Sequence, residues 1–164
     1  MSDVIVKTEN VGKTYIMGDQ AVHALSDVTL DVFEGEYLSI MGPSGSGKST
    51  FFNMVGALDQ PSTGEVFLRG YRLADLNSRQ LAWVRCHNIG YIFQSFNLIP
   101  AMTALENVAI ARIFAGKTPA EANKDAAAVL EQVGLGHRLD HLPSEISGGQ
   151  QQRVAIARAV VANP

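Results

Sequence analysis

The sequence has 164 residues, about the length of one domain. Thirteen Lys/Arg against sixteen Asp/Glu leave a net charge of −3, with 46% apolar and 18% charged residues. That balance excludes a highly charged disordered chain, and an acidic chain without a Lys/Arg run argues against sequence-independent nucleic-acid binding. The single cysteine, Cys86, excludes an internal disulfide and fits a reducing compartment. Met1-Ser2-Asp3-Val4 carries neither the basic nor the apolar stretch of a signal peptide, and no apolar run approaches the ~18 residues of a membrane span.

In chain order, Val4–Thr8 and Leu25–Val32 alternate apolar and polar, as half-buried antiparallel strands do, with Val28, Leu30 and Val32 on one face. Asp19-Gln20 and Glu34-Gly35 read as turns. Tyr37–Met41 is a nearly continuous apolar run, the pattern of a strand buried on both faces. A glycine-rich loop, Gly42–Gly47, leads into a helix from Lys48 to Leu58, in which Phe51 and Phe52 read as core. Pro61-Ser62-Thr63-Gly64 is a turn, Glu65–Leu68 a strand, Ser78–Cys86 a helix and Ile89–Phe93 a second buried strand. The rest is helical. Thr103 with Glu106, Thr118 with Glu121 and Ser147 with Gln150 each fit a capping box. They open helices to Phe114, Val133 and Ala162, with Pro119 at a first helical position and Gly134 as a left-handed cap. The expected fold is an α/β core with an N-terminal antiparallel patch and a helical addition.

Two stretches carry chemistry. Gly42-Pro43-Ser44-Gly45-Ser46-Gly47-Lys48-Ser49 matches G-x-x-x-x-G-K-[ST] between an apolar run and a helix. Its glycines let successive N–H groups turn toward phosphate oxygens, and the helix start adds its positive dipole end. Lys48 suits the β- and γ-phosphates of a nucleotide, and the Ser49 hydroxyl a Mg²⁺ position. Thr50, where a sixth-position glycine would stand after Gly45 and Gly47, excludes the dinucleotide pattern. Ser147-Gly148-Gly149-Gln150 opens a helix with two poor helix formers. It is either a flexible helix start or a second anion site built from free N–H groups. Gln94, closing an apolar run, reads as a cap or as a metal or water ligand. Tyr15 taken alone is an ordinary strand aromatic. His137 and His141 have zinc-like spacing but no cysteine pair beside them, and Arg69, Arg72, Arg79 and Arg85 read as a solvated face.

Together these stretches resemble the ATP-binding cassette (ABC) family of transporter ATPase domains over essentially the whole chain. GPSGSGKST at Gly42–Thr50 is similar to its Walker A, and ISGGQQQR at Ile146–Arg153 to its signature motif, with Ile146 where leucine is usual. Gln94 stands at the family's Q-loop glutamine and Tyr15 at its adenine-stacking aromatic. AVHALSDVTLDV, FNMVGALDQPSTGEV and FQSFNLIPAMTALENV are similar to the macrolide-exporter and lipoprotein-release subgroup. The resemblance implies a P-loop NTPase core at about residues 1–94 and a helical signature subdomain at about 95–164. It implies Mg²⁺ and ATP held by Tyr15, Gly42, Ser44, Gly45, Ser46, Gly47, Lys48, Ser49 and Thr50, and across a head-to-tail homodimer by Ser147, Gly148, Gly149 and Gln150. Lys48 and Gln94 would be catalytic, and Ser49 and Gln94 would hold the metal. A membrane-spanning permease is expected at the loop 95–103, through exposed Phe96, Leu98, Ile99 and Met102, placing the chain on the cytoplasmic face of a bacterial inner membrane. The family's Walker B strand, catalytic glutamate and switch histidine have no counterpart, so the chain is expected to be a cassette's first two-thirds, weak in hydrolysis and prone to associate through an uncovered strand edge. The alternatives are an ATP-binding module without turnover and a non-transport ATPase acting on DNA.

Overall fold

The computed structural model describes residues 3–164. Met1 and Ser2, the start of the segment read above as lacking a leader, lie outside the described residues. The chain forms two compact units, the first ending at Leu81 and the second running Ala82–Pro164.

The first unit is built on a long hairpin. β1 (Val4–Met17) pairs antiparallel with β2 (Gln20–Phe33) through a turn at residues 18–19. β3 (Thr63–Leu68) adds to the other edge of β1, and the short β4 (Tyr71–Arg72) to β3, giving the order β2-β1-β3-β4. The expected alternation is present in β2, where Val28, Leu30 and Val32 are half-buried and Thr29 and Asp31 exposed. α1 (Lys48–Val55) contacts the sheet, burying Phe51 and Met54 with Val11, Val66 and Leu68, while Phe52 turns outward at 43% exposure. The helix stops at Val55 rather than Leu58 because Ala57 takes a left-handed φ of 53°.

The second unit packs α3 (Ala104–Phe114), α4 (Pro119–Gln132) and α5 (Gly148–Val160) around Val108, Leu130, Leu135 and Val154, all fully buried. Each helix begins at a complete capping box, on Thr103, Thr118 and Ser147. These boxes satisfy orphan amide groups locally, so each start is fixed by residues three apart. Gly134 follows α4 with φ 74°, and Arg153 Nη1 donates to the Val133 carbonyl at 3.0 Å. α2 (Ser78–Asn88) runs across the division between the units.

Two expected strands are not formed. Residues 37–41 have no strand pairing among the described residues, and Tyr37 and Met41 are 96% and 87% exposed. Residues 89–93 are likewise irregular, with Ile92 exposed. An apolar run permits burial, but a strand exists only where a neighbouring main chain supplies the other half of the ladder. Among the described residues no helix is long and apolar enough to cross a membrane.

Candidate functional site

In the first unit the loop after residue 41 curls back on Lys48. The ammonium donates to the carbonyls of Gly42 and Pro43, both at 2.7 Å, and to Ser46 Oγ at 3.2 Å. All three acceptors are neutral, and Lys48 has no carboxylate partner among the described residues, so its charge remains available to an anion. Ser46 N–H donates to Pro43 O at 3.3 Å, tightening the turn, and Gly45 takes φ 82°. The N-cap of α1 is Gly47, with no side-chain cap and no acidic residue in the first turn. The first amide groups of α1, from Lys48 through Ser49 and Thr50, therefore keep an uncancelled positive end.

Gly47 must be glycine for two reasons. Its φ is 89°, and a Cβ there would lie 2.4 Å from the Ala24 carbonyl oxygen. That contact comes from a bulge in β2. Lys13 pairs with Leu25 and Thr14 with His23, leaving Ala24 as the extra residue, pushed toward the loop. A cavity of about 320 Å³ beside Lys48 is lined mainly by Leu25, Val28, Leu30, Ile40, Met41 and Phe51, with no carboxylate among its lining residues.

Tyr15 lies on the neighbouring strand, half-buried, opposite Val22. Its hydroxyl donates to Asp59 Oδ2 at 3.1 Å, and Lys13 Nζ sits 5.0 Å from its ring centroid. Lys13 also donates to Asp59 Oδ1 at 2.8 Å and to the Gln60 carbonyl at 2.7 Å. The Lys13 hydrogen bond, with smaller help from Gln60 N–H and the Tyr15 hydroxyl, holds the Asp59 carboxyl below its ordinary range. Lys13 and Asp59 escape a motif search because their partners lie more than forty residues away in sequence.

In the second unit Ser147 is an extended N-cap. Its hydroxyl accepts from Gln150 N–H at 3.4 Å, and the Gln150 side chain accepts from Ser147 N–H at 2.8 Å. Gly148 and Gly149 follow as the first exposed helical residues, and a Cβ on either would meet nothing within 4 Å. Nothing in the chain's own packing requires glycine there. Ile146 is buried in the helical core, so an apolar side chain at this position serves the fold.

Gln94 is exposed in a turn. The loop beyond it departs from expectation. Ile99 is exposed at 37%, but Phe96, Leu98 and Met102 are only half-exposed, because Leu98 packs on the helical core and the loop is pinned from beneath. Phe96 and Asn97 take left-handed φ angles of 60° and 47°. Arg158 of α5 spans them, its two terminal nitrogens donating to the carbonyls of Asn97 and Phe96, both at 2.7 Å. Fully buried Asn107 accepts from Ile99 N–H at 2.7 Å and donates to the carbonyls of Ile99, Met102 and Thr103. Neither residue was singled out by sequence. The signal for Asn107 is a polar side chain at helical spacing among Ala104, Val108 and Ala111; Arg158 gives none, its contacts lying 61 and 62 residues away.

Comparison with known proteins defines the class. The chain superposes on the ATP-binding cassette MJ0796 in a dimeric, post-hydrolysis state bound to ADP and Pi. The TM-score is 0.91 at 48% identity, covering 98% of this chain and 71% of that one. The fold is that of an ATP-binding cassette. A lipoprotein-releasing system ATP-binding protein LolD of Shewanella oneidensis is 48% identical over all of this chain and 71% of its own length. A macrolide export ATP-binding/permease protein MacB of Brucella melitensis is 50% identical over 96% of this chain and 24% of its own length. An uncharacterised ABC transporter ATP-binding protein of Thermotoga maritima is 49% identical over 98% of this chain and 68% of its own. The sequence pattern of the ABC transporter family matches residues 25–164. The chain belongs to the ABC transporter family.

Proposed function

We propose that the chain is the ATP-binding part of a membrane transporter's energy-coupling subunit. The observation that carries this reading is Lys48, a cation held only by neutral acceptors at the mouth of an uncapped helix N-terminus. That donor set fits a nucleoside triphosphate. Gly42, Ser44, Gly45, Ser46, Gly47, Lys48, Ser49 and Thr50 would hold its phosphates, with the hydroxyl of Ser49 holding Mg²⁺, whose chemistry is to neutralise charge on the phosphoryl oxygens; Gln94, which belongs to the second unit, is proposed separately as a metal or water ligand. Tyr15 would carry the base.

Two copies would pair head to tail, each nucleotide lying between residues 42–50 of one and Ser147, Gly148, Gly149 and Gln150 of the other. The open space around Gly148 and Gly149 supports this, since a close-approaching partner is what would require them to lack a Cβ. A permease would meet the loop 95–103 on the cytoplasmic face of the membrane, with the core at about residues 1–94 and the helical part from about 95. For these 164 residues alone we expect binding with negligible turnover, because none of these residues matches the family's catalytic glutamate and a positioned general base contributes typically ~10²–10⁴-fold. Phosphate release near 1 s⁻¹, an ordinary enzyme rate, would overturn that part.

Titration calorimetry with Mg-ATP tests the site. Lys48→Ala removes charge-assisted hydrogen bonds worth about 1.5–3 kcal/mol each, so affinity should fall at least tenfold. Equal affinities for the variant and the wild type would place the nucleotide elsewhere.

A further inference from the structure

We propose that Lys13 and Asp59 are positioning residues that set the Tyr15 ring as a one-sided platform for the nucleotide's base. The inference rests on reading residues 42–50 as the nucleotide's phosphate site.

Lys13 and Tyr15 are two apart on β1, so the pleat puts both on one face. Asp59 divides its carboxylate between them: Oδ1 takes the Lys13 ammonium at 2.8 Å and Oδ2 the Tyr15 hydroxyl at 3.1 Å. A tyrosine ring has two torsions. The hydroxyl anchor fixes where the ring points, and the ammonium 5.0 Å from the centroid occupies one face. Among the described residues no other ring stacks on Tyr15, and the side chain is half-buried. A cation on one face draws π density toward itself, leaving the other face a better surface for an electron-rich heteroaromatic. Lys13, with its side chain only 13% exposed, is placed for this role rather than for solvent.

The location suits a base. Gly47, at the end of the phosphate loop, abuts Ala24 in the β2 bulge. The next strand carries Lys13 opposite Leu25 and Tyr15 opposite Val22. At ~3.4 Å per residue, Tyr15 stands on the order of 10 Å along the sheet from the loop's end. Asp59 is delivered by the same element that begins at Lys48: the turn closing α1 bonds Leu58 N–H and Asp59 N–H to the Asn53 carbonyl, at 2.9 and 3.2 Å. One short helix thus starts at the phosphate loop and ends at the clamp on Tyr15.

A structural staple would use the same bonds, so the test compares two probes on the full chain. Calorimetry measures Mg-ATP and magnesium tripolyphosphate, which has the phosphates but no base, against wild type, Tyr15→Phe, Asp59→Asn, Lys13→Met, Tyr15→Ala and Lys48→Ala. Thermal melts monitor folding. Tyr15→Phe keeps the ring and its volume while losing the anchor. Tyr15→Phe, Asp59→Asn and Lys13→Met should each lose roughly two- to tenfold in ATP affinity, the range of an aromatic stacking contact, with tripolyphosphate affinity unchanged. Parallel losses for both probes would make the network a staple and overturn the proposal. Loss in Tyr15→Ala with none in the clamp variants would leave the platform standing and overturn the positioning role. Unchanged ATP affinity in Tyr15→Ala, with Lys48→Ala still losing both probes, would remove the platform and the proposal while the phosphate site survives. Unchanged binding in Lys48→Ala would overturn the underlying reading itself.

Discussion

Replacing Gly148 and Gly149 together by alanine should make the chain more stable while abolishing the head-to-tail pairing on nucleotide proposed above. Both residues are helical, both are exposed, and a Cβ on either meets nothing within 4 Å. The start of α5 is set by the Ser147–Gln150 capping box and owes nothing to glycine. Where the native backbone already suits alanine, Gly→Ala stabilises by about 0.4–1 kcal/mol, mostly by restricting the unfolded chain. First-turn positions take the lower part of that range, so the pair is worth about 1 kcal/mol. For a cooperative unit of 60–100 residues that shifts Tm by roughly 4–8 °C, upward here. Far-UV circular dichroism melts without nucleotide measure it, and sedimentation with and without ATP reports pairing. The two readouts should move in opposite directions. A lowered Tm would mean that the fold itself needs glycine there, and the argument that the open space belongs to an approaching partner would collapse.

Asn107→Leu keeps the branched shape but leaves Ile99 N–H and the Met102 carbonyl without the Asn107 partner, while the Ile99 carbonyl still accepts from Met102 N–H. At ~1–3 kcal/mol per unsatisfied buried group, the urea midpoint should fall by the equivalent of about 2 kcal/mol or more. Gly47→Ala should abolish ATP binding and lower Tm, since the left-handed φ and the Ala24 carbonyl both oppose a Cβ; unchanged binding would contradict the loop geometry. Thr118→Ala removes the acceptor for Glu121 N–H and should cost α4 about 1 kcal/mol in thermal unfolding. The Asp59 carboxyl, lowered chiefly by its bond from Lys13, contributes stability above the ordinary carboxylate range that is lost as pH falls through its depressed value. Acid melts of Lys13→Met should therefore show a shallower loss below about pH 4 than the wild type.

The helix starts were legible because their determinants are local. Thr103 with Glu106, Thr118 with Glu121 and Ser147 with Gln150 each satisfy two amides within four residues, so the sequence contains the whole interaction. The conformation of the glycine-rich loop was legible for a similar reason: its glycines and Lys48 act on their own backbone, as the bonds from Lys48 to Gly42 and Pro43 show. Residues 37–41 and 89–93 misled because hydrophobicity describes a side chain's preference, whereas a strand also depends on a main chain elsewhere. Asp59, Asn107 and Arg158 were invisible for the same reason in reverse. Asp59 and Arg158 act on groups dozens of residues away, and Asn107 acts mainly on backbone carbonyls, which every residue possesses.

Arg158 gives α5 a mechanical character. The open glycines stand at one end of the helix, and the guanidinium grips two loop carbonyls about 15 Å along its axis. An α-helix of three turns barely compresses, so α5 joins residues 96–97 to residues 148–149 through one stiff element. The joint is a planar fork that spans two acceptors at once. A lysine there, with a single rotatable ammonium, would turn that rigid coupling into a hinge.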